Sequence, residues 1–231
     1  MKPILQPMNE RTALVLLSGG QDSTTCLFWA KREFARVEAV AFLYGQRHEV
    51  ELNCAYTIAL EAGVSFRTIN VMGLLGNSSL VNHAEDTNAP HPMNAELPSS
   101  FTPGRNALFL TLAASEAYNM GIHDLVCGVC QTDYSGYPDC REAFIYAQQK
   151  TLSLALDTPT LIHTPLMHLT KAETWKLANE LGCLETIRLK THTDYHGDHT
   201  TLNEWGYGKL DNPASILRAK GYEEAKAKGW V

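Results

Sequence analysis

Long apolar runs are missing from this chain. Its most extended examples, Ala13–Leu17 and Ala39–Tyr44, cover only a few residues, far short of the ~18 needed to span a bilayer, and they read as buried strands. The opening stretch Met1–Arg11 contains Pro3, Pro7, Asn9 and Glu10 and lacks the apolar run of an export signal, so a cytoplasmic protein with no membrane partner is expected. Cysteine is sparse: Cys26, Cys54, Cys127, Cys130, Cys140 and Cys183 are scattered through 231 residues, a pattern of reduced thiols rather than a disulfide framework. Positive charge is in deficit, with a formal net charge of -6 at pH 7. Without clustered Lys and Arg to displace counterions, direct binding of nucleic acid is not expected. Familiar nucleotide and hydrolase motifs are absent too. The only Gly-Lys, Gly208-Lys209, has Asn203 in place of the first Walker A glycine and is followed by Leu210. No Gly-x-Gly-x-x-Gly and no Gly-x-Ser-x-Gly occurs. A small-molecule or protein partner is expected instead.

What remains is the composition of an ordinary globular protein, 45% hydrophobic and 19% charged, long enough to bury one sizeable core. Ala13–Leu17 reads as a strand closed by Ser18-Gly19-Gly20, with a helix from Asp22 to about Arg36. The pattern repeats with a strand Glu38–Tyr44 and a helix marked by Val50, Cys54, Ile58 and Ala62, which Gly63 stops. A strand Val64–Val71, a helix near Asn106–Met120, a strand Leu125–Gly128, a helix from Arg141 to Leu156 and a strand Leu161–Thr164 continue the series. Thr170 and Glu173 have the form of a capping box opening a helix. Alternation of this kind implies right-handed crossovers and a doubly wound, parallel α/β sheet. Periodicity fails from Met72 to Pro103, and regular structure is not foreseen from Thr191 to Ile216. The expected division is an ATP-binding α/β domain over 1–190 and a small irregular C-terminal segment over 191–231.

Leu16-Leu17-Ser18-Gly19-Gly20-Gln21-Asp22-Ser23-Thr24-Thr25 carries the chemistry. A buried strand running through two glycines into a helix exposes unpaired N–H groups at the positive end of a helix dipole, and glycine lets phosphate oxygens approach. An isolated Ser-Gly-Gly is ordinarily only a turn. Ser-Gly-Gly-x-Asp-Ser directly after a strand is instead the signature of PP-loop ATP pyrophosphatases, of the adenine nucleotide alpha hydrolase-like type, which attack the α-phosphate of ATP.

Further stretches resemble one family within that group: Tyr44-Gly45-Gln46-Arg47-His48, Phe101-Thr102-Pro103-Gly104-Arg105-Asn106, Gly128 through Arg141, Thr164-Pro165-Leu166-Met167 and Lys171-Ala172-Glu173. Together they resemble the 7-cyano-7-deazaguanine synthase (QueC) family. The resemblance implies ATP and Mg²⁺ as cofactors and a small deazapurine acid, 7-carboxy-7-deazaguanine, as substrate. Its carboxylate is adenylated, ammonia gives the amide, and a second ATP drives the amide to the nitrile preQ0. It implies catalytic roles for Asp22, Arg105 and Lys171. ATP is expected on Leu17, Ser18, Gly19, Gly20, Gln21, Asp22, Ser23, Thr24, Thr25, Arg105 and Asn106. Substrate contacts are expected from Gln46, Arg47, Asp133, Tyr134, Tyr137, Asp139 and Arg141. Relatives form homodimers, so a homodimer is expected. Taken alone, Arg105 and Lys171 read as surface charges, and Cys127 with Cys130 reads as packing or pocket lining.

One departure stands out. The family carries four zinc-binding cysteines near its C-terminus. Alignment on Thr193-Asp194, Asp198, Trp205-Gly206-Tyr207-Gly208 and Leu217 through Gly221 places Asp194, Lys209, Asn212 and Ser215 at those positions. Zinc is therefore not expected. The neighbouring His192, Asp194, His196, Asp198 and His199 read as solvated loop residues, with Trp205 and Tyr207 or a partner chain holding the segment. QueC-like proteins of antiphage defence systems, including type IV CBASS, suggest an alternative in which a protein amine accepts the activated deazaguanine as an amide. A non-catalytic ATP-binding interaction module is a reading of another class, and a tRNA-thiolating enzyme finds no support in the charge.

Overall fold

The computed structural model describes residues 5–45, 50–74, 90–91, 94–98, 101–132, 137–194 and 198–231. The first strand, β1 (Thr12–Leu16), is apolar at nearly every position because both its faces are covered, as in parallel sheets. It enters α1 (Gln21–Glu33) through the glycine turn, then β2 (Arg36–Leu43), α2 (Val50–Glu61) and β3 (Ser65–Asn70). A short antiparallel pair, β4 (Pro90–His91) and β5 (Asn94–Pro98), follows. Next come α3 (Arg105–Asn119), β6 (Asp124–Val126), α4 (Glu142–Ala155), β7 (Leu161–His163), α5 (Lys171–Glu180) and α6 (Leu184–Lys190). The chain ends with a hairpin, β8 (Leu202–Asn203) and β9 (Gly206–Tyr207), and α7 (Pro213–Ala227).

The main sheet has the order β3-β2-β1-β6-β7, and every pairing within it is parallel. This is the expected α/β fold. The chain first builds outward from β1 through β2 to β3, then returns to lay β6 on the other side of β1. The carboxyl ends of β1 and β6 therefore flank a topological switch point, where open α/β sheets leave a crevice for ligands. Alternating side chains of β1 serve two cores. Ala13, Val15 and Leu17 pack with Cys26, Leu27, Ala30, Ala55 and Ile58 from α1 and α2. Leu14 packs on the opposite face with Leu110, Ala113 and Ala117 of α3 and Ile145 and Leu152 of α4.

A third core joins Trp175 and Ala178 of α5, Ile187 of α6, Trp205, and Tyr222 and Ala225 of α7. It straddles residue 190, so the last stretch of chain is fastened to the helices before it. The capping box at α5 is formed as expected, the Thr170 side chain accepting from Glu173 N while the Glu173 carboxylate takes the Thr170 N–H.

The structure corrects the sequence reading in three places. The aperiodic region after Met72 contains the β4–β5 pair. The region after Thr191 contains a hairpin, and α7 starts at Pro213, with Asn212 as its N-cap. His192 and Asp194 are not solvated: both are only 2% exposed. All six cysteines are free thiols, Cys127 and Cys130 among the buried ones. Among the described residues no helix is long and apolar enough to cross a membrane.

Candidate active site

The Ser18–Gly19–Gly20 turn sits at the switch point and is shaped by its own polar groups. The Ser23 hydroxyl accepts from Ser18 N at 3.1 Å, lies 3.0 Å from Ser18 Oγ and donates to Gly20 O at 3.2 Å. Gly20 N lies 3.4 Å from Ser18 Oγ. Thr24 N reaches Gly20 O at 3.1 Å, and Thr25 Oγ1 returns to Gln21 O at 2.9 Å. Ser23, Thr24 and Thr25 are buried and brace the turn from within, while Ser18 faces solvent at the helix entrance. Gly19 has φ +86°, and a side chain there would collide with the Glu51 carbonyl oxygen and lie 2.8 Å from Ala55 N. From the other side Gly128, at the end of β6, admits the start of α1: its Cβ would stand 3.0 Å from Ser23 N. The turn is thus gripped between α2 and the continuation of β6.

Asp22 points out of the first turn of α1 and meets Lys171, the first residue of α5. The Lys171 ammonium lies 3.0 and 2.9 Å from the two Asp22 carboxylate oxygens. The lysine side chain is 11% exposed and the carboxylate 28%, so Lys171 is not the surface charge that its sequence context alone suggests. Two candidate residues 149 positions apart have been brought together.

Arg105 opens α3 behind Gly104, whose φ of +70° suits glycine. It is enclosed by Tyr44, Tyr137, Asp139 and Cys140, and its guanidinium carbon stands 5.9 Å from the Tyr137 ring centroid. Burial, which works against the cation, is outweighed there by Tyr44, Tyr137, Asp139 and Cys140, so the guanidinium holds its proton above its ordinary range. Asn106 bonds beside it, its backbone N to Asp139 Oδ2 at 3.0 Å and its amide to Asp139 O at 3.2 Å. One oxygen of the buried Asp139 therefore helps close the start of α3. Tyr137 leans on Phe101, with ring centroids 5.6 Å apart. Arg141 is exposed, at the N-cap of α4. Gln46, Arg47, Asp133 and Tyr134 lie outside the described residues.

Several residues of this site were not singled out from sequence. Glu51, in the first turn of α2, faces Arg105 and Tyr44. Burial pushes its carboxyl up to about 7 despite the opposing pull of Arg105. Burial, with Glu51 nearby, also drives the Tyr44 hydroxyl well above its ordinary value, against Arg105. The third neighbour is the C-terminal segment: His192 N donates to Gly19 O at 3.0 Å. Gly221 of α7 provides the seat for Lys171, since a Cβ there would stand 2.6 Å from Lys171 Cγ. The glycines were visible as letters, but the surfaces they admit come from remote parts of the chain.

The geometry therefore joins a glycine turn at the positive end of α1, a lysine and an arginine, and a carboxyl that burial pushes up to about 7. Such a set suits transfer chemistry on a phosphate ester.

A family model described as queuosine biosynthesis protein QueC matches residues 12–226. A 7-cyano-7-deazaguanine synthase of Phocaeicola vulgatus is 48% identical over 219 residues, covering 94% of this chain and 95% of the relative. One from Bacteroides fragilis is 48% identical over 223 residues, covering 96% and 99%. A solved complex of a 4-thiouridine synthetase with RNA and bound ATP aligns with a TM-score of 0.48 at 20% identity, over 77% of this chain and 42% of that one. With a family model extending over nearly all of its length and relatives of almost half identity end to end, the chain belongs to the QueC family of queuosine biosynthesis proteins.

Proposed function

We propose that this protein activates the carboxylate of 7-carboxy-7-deazaguanine with ATP and converts it, with ammonia, to 7-cyano-7-deazaguanine. The observation that carries this reading is the Lys171–Asp22 pair at the mouth of the Ser18–Gly20 turn, in a chain so similar to proteins named for that product. ATP fits the turn. The first turn of α1 offers its N–H groups and Ser18 adds an exposed hydroxyl, while the missing side chain of Gly19 lets α2 pack against the turn and hold it in shape. Mg²⁺ would arrive with the nucleotide, with Asp22 the carboxylate at hand to hold it, and would screen phosphate charge.

In the first half-reaction a substrate carboxylate oxygen attacks the α-phosphorus. A P–O bond forms, the bond to the β-phosphate oxygen breaks, and pyrophosphate leaves with the electron pair. Lys171 and Arg105 stabilise the charge that gathers on the phosphoryl oxygens. Ammonia then adds to the acyl carbon, AMP departs with its oxygen, and the nitrogen gives up one proton. In the second half-reaction the amide oxygen attacks a second ATP. Loss of AMP and the remaining nitrogen protons leaves the nitrile. Asp22 holds Lys171 in place for both. The Tyr137 ring, held at 44° to the Phe101 ring, supplies a flat face for a fused heterocycle.

Mass spectrometry of products from the purified protein, Mg-ATP, 7-carboxy-7-deazaguanine and ammonium tests this. The expected result is free nitrile with two AMP formed for each. Absence of pyrophosphate release would overturn the reading. Adduct mass on an added protein, with no free nitrile, would overturn ammonia as the acceptor.

A further inference from the structure

One buried oxygen fastens the C-terminal segment. Asp194 Oδ2 accepts from Lys209 N at 3.0 Å, from Asn212 Nδ2 at 3.0 Å and from Ser215 Oγ at 3.3 Å. Asn212 Oδ1 accepts from Ser215 N at 3.0 Å and caps α7 in the same stroke. Asp194, Asn212 and Ser215 are 2%, 1% and 0% exposed. Gly208, at φ +130°, passes beside them where a Cβ would stand 3.1 Å from Ser215 Oγ and 3.2 Å from Asp194 Oδ2. Bonds of this kind to a carboxylate are among the stronger hydrogen bonds, and out of water they are costly to break.

These are the four positions that the family resemblance assigns to zinc ligands, and they do not fit zinc. A structural zinc ion needs four converging lone-pair donors, ordinarily thiolate or imidazole. Here Lys209 contributes a backbone N–H, while its side chain is 61% exposed and extends toward Asp198. Asn212 and Ser215 present hydrogens to the carboxylate rather than lone pairs to a centre. Among the described residues, no group of three or more His, Cys, Asp or Glu side chains is arranged to hold a metal ion.

The knot is tied close to the active site. Two residues before Asp194, His192 N holds Gly19 O, and the His192 carbonyl lies 3.5 Å from where a Gly20 Cβ would be. Beyond Asn212, α7 carries Arg218, whose guanidinium donates to Thr191 Oγ1 at 2.8 Å and Thr193 Oγ1 at 2.7 Å, and then Gly221 beneath Lys171.

We propose that Asp194 is a positioning residue for the nucleotide site. Its carboxylate cross-links the C-terminal segment by hydrogen bonds in place of a metal, and thereby sets the His192 clasp on the phosphate turn and the α7 seat of Lys171. The catalytic readout rests on the carboxylate-activating reading above and the affinity readout on its ATP-binding part alone; metal content and unfolding rest on neither.

The test uses the full chain. Metal analysis of protein purified without chelator is expected to give far less than one zinc per chain. A strong zinc chelator is expected to leave the unfolding midpoint, affinity for a non-hydrolysable ATP analogue and pyrophosphate release unchanged. Asp194→Ala is expected to weaken the analogue by about tenfold, with KM for ATP rising more than kcat falls. Asp194→Asn, which keeps a carbonyl oxygen for the same donors, should recover most of that loss. Should Asp194→Ala fail to fold, Ser215→Ala removes one donor to Asp194 together with an acceptor of Asn212 Nδ2 and is expected to weaken the analogue by a smaller factor with a near-normal unfolding midpoint. Stoichiometric zinc, chelator-induced unfolding, or native analogue affinity in a folded Asp194→Ala or Ser215→Ala variant would overturn the proposal. Loss of pyrophosphate release in the wild type alone would count against the catalytic reading and leave this one to be decided by affinity.

Discussion

At the scale of single residues, the site depends on side chains whose charge is set by their neighbours. Lys171→Met keeps the bulk of the side chain and removes the ammonium beside Asp22. Pyrophosphate release is expected to fall by roughly a hundredfold or more, with the circular dichroism spectrum unchanged; a folded variant of near-normal rate would remove Lys171 from the mechanism. Glu51 gives a pH signature. Burial raises its carboxyl from 4.5 to about 7, so between those values the native protein holds a proton that the unfolded chain has lost. Its contribution to stability is complete below the unfolded value and disappears as pH rises through the folded one. Glu51→Gln should flatten that dependence by on the order of 2 kcal/mol between pH 5 and pH 8, measured by urea unfolding. Identical pH profiles for the two proteins would show that Glu51 is ionised throughout.

Elements differ in how far they can be read from their letters. The strands of the main sheet and the helices from α1 to α5 were legible because they alternate between turn signals and carry apolar runs such as Ala13–Leu17, a helical repeat, or a cap such as Thr170 with Glu173. The two-residue strands β8 and β9 were not, since no periodicity can develop over such lengths. The seven-residue α6 is equally short of pattern and is held by Ile187 in a core shared with α5 and α7. The Ser18–Gly20 turn was legible as a local motif. Its partners were not, because Glu51, His192 and Gly221 reach it only through the packing of α2, α6 and α7. That packing predicts the result of Gly221→Ala. Alanine favours the helix itself, yet its methyl would stand 2.8 Å from Lys171 Cβ and 3.0 Å from its carbonyl carbon. Lys171 must move, so kcat is expected to drop about tenfold or more while α7 stays folded. An unchanged kcat would mean that α5 yields without cost.

For the molecule as a whole, Arg218 ties the end of the chain to its middle. It is 1% exposed and donates to Trp205 O at 3.0 Å and Ile187 O at 2.7 Å as well as to Thr191 and Thr193. Its backbone carbonyl receives the Trp175 indole N–H at 3.2 Å. Arg218→Met fills similar space but leaves buried oxygens without donors, and a loss of at least ~2 kcal/mol is expected, read as a lower denaturant midpoint. An unaltered midpoint would show that water replaces the guanidinium freely.

The bond from His192 N to Gly19 O also bears on how the protein is made. The turn that would receive ATP is synthesised before α2, α5 and α6, yet the backbone group that clasps it comes only after them, and α7 follows later still. A nascent chain on the ribosome therefore holds its Ser18–Gly20 turn without its clasp until His192 has emerged. The motif is thus made well before the backbone group that holds it in shape.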